Sequence, residues 1–137
     1  MFKKSFITAA VKEAKKVDHQ FKLGAIIFNK SKIISKGKNT AQRSKRRLHP
    51  KYMKWVGSLH AEQDAVLNAY IDLKGLEMLV VRIDKANKFR LAKPCKHCMN
   101  YLNKIGLKRI YYTIDNSTFG VIERRNFLNS DEIIEVC

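Results

Sequence analysis

The chain of 137 residues has few cysteines, no long apolar run and, over one long internal stretch, no acidic residue. Three cysteines, two of them in the block Cys95-Lys-His-Cys98, do not make a secreted disulfide scaffold. They point to a reducing, cytoplasmic setting, with Cys137 an incidental terminal thiol. No segment approaches the roughly 20 apolar residues that span a bilayer, and we expect no membrane partner. The start, Met1 to Ala10, carries Lys3 and Lys4 without a sustained apolar core and does not read as a signal peptide. With 45% hydrophobic residues the composition is that of a folding chain, and the length suits a single domain over 1–137.

The missing acid is the strongest compositional signal. Between His19 and Ala61 there is no aspartate or glutamate, while Lys22, Lys30, Lys32, Lys36, Lys38, Arg43, Lys45, Arg46, Arg47, Lys51 and Lys54 all fall there. The formal net charge is +16. Such a field draws phosphate, whether on a free nucleotide, a nucleic acid or another anionic surface. The bland alternative, to which we give less weight, is that a lysine-, isoleucine- and asparagine-rich chain reflects an A/T-rich genome, with the charge serving solubility.

Apolar spacing supplies the elements. Phe2, Phe6, Ala9/Ala10, Ala14 and Val17 predict an amphipathic helix ending near Asp18. Leu23–Phe28, a turn at Asn29–Lys32, and Ile33–Gly37 predict a β-hairpin. Residues 38–57 are basic, lack periodicity and contain Pro50, which predicts a long loop. Ser58 is placed to cap a second helix reaching Tyr70. Leu76–Ile83 reads as a strong strand, 84–93 as a polar loop and Cys95–Ile105 as a third helix closed by Gly106. Lys108–Ile114 is a fourth strand. For the tail we expect Phe119–Arg125 to return as an antiparallel strand, since the link is too short for a parallel crossover. The alternative is a crossover helix over Thr118–Leu128 followed by a parallel strand at Ile133–Val136, which Gly120 and Asn126 weaken.

Onto these elements fall His60-Ala61-Glu62 and Pro94-Cys95-Lys-His-Cys98. Cys95 and Cys98 can reach one ion from the first turn of a helix, where backbone N–H groups favour thiolate and Pro94 costs little. His60 completes a three-ligand zinc set with a fourth position left for water, whose pKa zinc lowers toward neutrality. Glu62 is then the carboxylate off the metal that moves the proton. At 3.6 residues per turn His60 and Glu62 lie about 200° apart, so both can face one site only at the start of a helix. A structural zinc site would need a fourth protein ligand from His97, His49 or Cys137, and none has the spacing for it.

The chain resembles the cytidine and deoxycytidylate deaminase superfamily over nearly its whole length. The resemblance is carried by the hairpin Leu23–Gly37 with Asn39, by His60-Ala-Glu62, by Lys93-Pro-Cys-Lys-His-Cys98 and by Ile105-Gly-Leu-Lys-Arg-Ile-Tyr-Tyr112, in that order. It implies a three-layer α/β/α fold around a mixed five-stranded sheet, whose last two strands we expect to form the antiparallel hairpin. It also implies that Asn39 contacts the substrate sugar, that the Ala61 backbone N–H holds the base carbonyl, and that copies of the chain self-associate. Histidine as first ligand is similar to deoxycytidylate, tRNA-adenosine and polynucleotide cytosine deaminases, whereas an antiparallel tail is similar to the free-cytidine group. Met99-Asn100-Tyr101 replaces the small residues that tRNA-adenosine enzymes usually carry after the second cysteine.

The expected reaction is hydrolytic conversion of cytosine to uracil in a free pyrimidine nucleoside or nucleotide, with zinc-bound hydroxide attacking C4 and Glu62 shuttling protons. Arg43, Arg46 and Arg47 in the basic loop would grip a 5′-phosphate. In a second reading the same loop tracks single-stranded DNA or RNA while Tyr52 or Trp55 stacks on a base, worth roughly 1–3 kcal/mol; both aromatics could equally anchor the loop to the body. A third reading, from another class, is a catalytically silent zinc protein that binds nucleic acid through its charge.

Overall fold

The computed structural model describes residues 3–17, 22–30, 32–39 and 60–127. Helix α1 (Lys4–Lys15) leads into strand β1 (Lys22–Phe28) and strand β2 (Ile33–Lys38). Helix α2 (Ala61–Leu67), strand β3 (Glu77–Ile83), a two-residue strand β4 (Phe89–Arg90), helix α3 (Lys96–Ile105) and strands β5 (Arg109–Thr113) and β6 (Phe119–Glu123) follow. A 3₁₀ turn over Arg124–Asn126 closes the described chain. The expected long loop lies almost entirely outside the described residues.

The five long strands run in the order β2-β1-β3-β5-β6, with β4 paired to β3. Only β3 and β5 are parallel; the other pairings are antiparallel. The tail is the expected hairpin, with Arg109 opposite Glu123 and Thr113 opposite Phe119. The crossover-helix alternative fails because Phe119–Glu123 is extended and pairs along its whole length.

Alternation on the strands builds two cores, one on each face of the sheet. Leu79, Val81 and Ile83 face α1, whose Phe6, Ala10 and Ala14 are buried against Ile26 and Phe28. Met78 and Val80 face the other way, with Ala25, Ile27 and Ile110, against Ala65 of α2 and Met99 and Leu102 of α3. Helices on both faces of a mixed sheet make the three layers anticipated.

Two details depart from the sequence reading. The polar loop 84–93 contains β4, whose Arg90 ion-pairs with Asp84 at 2.9 Å. Asp84 also accepts from the Ala86 and Lys88 backbone N–H groups, and the Lys88 bond leads in holding its carboxyl below the ordinary aspartate range. The second helix is shorter than expected: its N-cap is His60 and its C-cap Asn68, so it never reaches Tyr70, which is 93% exposed. Ser58, the expected cap, lies outside the described residues. The third helix ends as read, on Gly106 in the left-handed region at φ 89°.

Candidate metal and deaminase site

Two helix starts meet at one end of the sheet. The far end of α3 is tied down where β3 and β5 begin, by Gly75 N–H to Gly106 O at 2.9 Å and Lys108 N–H to Leu76 O at 2.8 Å. A ten-residue helix rises about 15 Å, so Cys95 and Cys98 sit at the opposite end, where β3 finishes. The segment before Cys95 is held there by Ala92 N–H to Thr113 O (2.9 Å) and Thr113 Oγ1 to Arg90 O (2.7 Å).

His60 reaches the same place from α2. As N-cap it has extended backbone, φ −78° and ψ 157°, so its side chain does not follow the helical phase. That resolves the 200° separation from Glu62: His60 turns toward the cysteines from just outside the helix, and Glu62 enters from the first turn. The Gln63 side chain accepts the His60 backbone N–H at 3.0 Å and fixes that geometry.

The ligand atoms of His60, Cys95 and Cys98 all lie within 4.8 Å of one another, and His60 Nδ1 is 3.1 Å from Cys98 Sγ. Among the described residues this is the only such group, and His97 is not part of it. Cys98 is a fully buried free thiol and Cys95 is buried beside it; holding a metal requires both as thiolates. Burial pushes the Cys98 thiol well up, and the neighbouring Glu62 charge and hydrogen bond push it further. A thiolate at that position therefore calls for a cation beside it.

Glu62 is 3% exposed, and its Oε1 is buried without a hydrogen-bond partner among the described residues. Burial raises its carboxyl above the ordinary glutamate range, against the opposing pull of His60, its own backbone N–H and Cys98. An orphaned carboxylate oxygen and two soft ligands with one imidazole fit zinc with a proton acceptor at its side.

Asn39 follows β2 and is pinned to β1: its Oδ1 accepts the Leu23 N–H at 2.9 Å and its N–H reaches Leu23 O at 3.4 Å. Lys22 lies opposite Ile83, so Asn39 stands at the site end of the sheet. Ala61 occupies the first helical position, where a backbone N–H has no intrahelical acceptor. Arg43, Arg46, Arg47, Tyr52 and Trp55 fall outside the described residues. The sequence reading missed Gln63 and Asp64, both buried on α2. A glutamine three residues after the cap was the available signal for Gln63.

A three-layer fold carrying a His/Cys/Cys set beside a glutamate off the metal defines the class of zinc-dependent nucleobase deaminases. The family model for the cytidine and deoxycytidylate deaminase zinc-binding region matches residues 2–114, and the chain belongs to this family of deaminases. Its fold is similar to that of apo dCMP deaminase from the cyanophage S-TIM5, with a TM-score of 0.57 and 21% identity over 98% of both chains. The structure of that enzyme in complex with dCMP and dUMP matches with a TM-score of 0.52 and 21% identity, over 82% of this chain and 83% of the other. A diaminohydroxyphosphoribosylaminopyrimidine deaminase/5-amino-6-(5-phosphoribosylamino)uracil reductase from Thermotoga maritima matches with a TM-score of 0.57 and 22% identity. That match covers 96% of this chain and 35% of the other. No curated protein sequence matches the chain. Among the described residues no helix is long and apolar enough to cross a membrane.

Proposed function

We propose that the protein hydrolyses the exocyclic amine of cytosine in a free pyrimidine nucleotide, with His60, Cys95 and Cys98 holding zinc. The observation that carries the reading is the buried Oε1 of Glu62, unpartnered among the described residues, beside a convergent His/Cys/Cys group. Bound zinc supplies the Lewis acidity that makes water a usable nucleophile near neutral pH.

The chain's own residues do the rest. Glu62 takes a proton from the attacking water and delivers it to N3 of the base as the C4–O bond forms. It then carries the hydroxyl proton to the amine; the C4–N bond breaks, ammonia leaves and C4 becomes the uracil carbonyl. A carboxyl raised by burial suits this, because a proton carrier works best when its pKa lies near the working pH. The Ala61 N–H, at the positive end of α2, donates to the base carbonyl O2. Asn39, whose Oδ1 is held by the Leu23 N–H, contacts the substrate sugar. The cyanophage relative whose structure holds dCMP and dUMP supports a monophosphate as the substrate.

The test is deamination by reduced, zinc-loaded protein, followed by mass spectrometry, on cytidine, deoxycytidine, dCMP, dCTP, a cytosine-bearing single-stranded DNA and a tRNA-like RNA. We expect dCMP to gain one mass unit and Glu62→Gln to lower kcat by about 10²–10⁴-fold with its zinc retained. Conversion of polymers alone would make the protein a nucleic-acid editor. No conversion of any substrate would overturn the reading.

A further inference from the structure

We infer that Asp64 is a positioning residue that locks the helix of the metal site to the strand that presents Asn39 to substrate; this rests on the function proposed above. Asp64 is one turn from His60 and only 5% exposed, yet it ligates nothing in the metal group. Its Oδ2 accepts the Lys38 backbone N–H at 3.0 Å and the Asn68 side-chain amide at 3.3 Å. Lys38 is the last residue of β2, and the next residue is Asn39. A single carboxylate oxygen therefore joins the catalytic turn of α2 to the backbone immediately before the sugar-reading side chain.

The surrounding contacts show that this is one seam. Asn68 donates from its side chain to Lys36 O at 2.8 Å, and Ser35 Oγ donates to Ala65 O at 2.5 Å. Gly37 lets the two backbones approach: a Cβ there would collide with the Ala65 nitrogen. Those contacts fix how closely α2 lies on β2. Of these bonds the Asp64 one lies nearest the site end of the seam, so it sets where Lys38 and Asn39 stand relative to Glu62.

This placement predicts a split in kinetics. Asn39 touches the sugar, away from the bonds that change, so loosening it weakens substrate and transition state alike and raises KM. We expect Asp64→Ala to raise the KM for dCMP about tenfold, with kcat within about threefold and zinc content unchanged. Asp64→Asn, which can place an amide oxygen where Oδ2 lies, restores KM to within about twofold. Amide hydrogen exchange supplies a readout independent of turnover: Lys38 loses protection in Asp64→Ala and keeps it in Asp64→Asn. Equal losses in both variants, or a fall in zinc content that parallels the fall in activity, would overturn the assignment. If the wild-type protein converts no nucleotide, the functional reading fails by itself. The seam then stands or falls on Lys38 exchange, and unchanged protection in Asp64→Ala sinks it.

Discussion

At the scale of single residues the site is a problem in charge. Cys98 is fully buried, and both its burial and the Glu62 carboxylate oppose its ionisation. Glu62 is buried too, with one oxygen unpartnered among the described residues. Two buried groups whose anions burial disfavours, held beside an imidazole, are balanced by a divalent cation and are poorly matched to a site without one. Zinc should therefore contribute to stability as well as chemistry. A ligand at a thousandfold excess over its Kd adds about 4 kcal/mol. We expect chelation of the reduced, zinc-loaded protein to lower Tm by roughly 10 °C. Cys98→Ser should retain far less than one zinc per chain and show no response to chelator in the same melt. A Tm indifferent to chelator in the wild type would count against the ligand set.

At the scale of elements, the close seam between α2 and β2 is the piece most sensitive to volume. The atoms that a Cβ on Gly37 would meet are backbone atoms of Ala61 and Ala65, which cannot turn aside as a side chain could. Gly37→Ala should therefore lift the start of α2, costing about 1–3 kcal/mol in a denaturant melt. It should also lower kcat, because Glu62 moves with the helix. An unshifted melting curve would mean that the seam is softer than its geometry implies. This seam also marks where sequence reading ran out. The five long strands, the first helix and the Cys95–Gly106 helix were legible because each carries its own periodicity or stop signal: Met78/Val80 against Leu79/Val81, or Gly106 after the last helical turn. Helix α2 was overextended because Val66, Ala69 and Tyr70 continue a helical spacing, while at its end Asn68 bonds to Lys36 O on β2. His60, Glu62, Cys95 and Cys98 were legible because their chemistry is written in residue types at short spacing. The Asp64 bond to Lys38 was not, because its partner is a backbone N–H that only the fold brings near.

At the scale of the whole molecule, a net charge of +16 on 137 residues raises the local concentration of any phosphorylated substrate. The question is how many phosphates the site engages at once, and salt answers it. For single strands, log affinity falls with log salt by roughly 0.7 for each phosphate neutralised. A monophosphate gripped once or twice should lose only about three- to tenfold in kcat/KM between about 50 and 200 mM salt. A polynucleotide tracked over about six phosphates should lose a few hundredfold over the same range. We expect the shallow dependence with dCMP. Cytidine, which has no phosphate, should show almost none. The difference between the two slopes measures the phosphate grip alone, because the cytosine chemistry is common to both. A steep slope confined to single-stranded DNA, alongside faster turnover of the polymer than of dCMP, would move the assignment to a polynucleotide substrate. The deaminase chemistry would be untouched, since Glu62 and the His/Cys/Cys group serve either substrate.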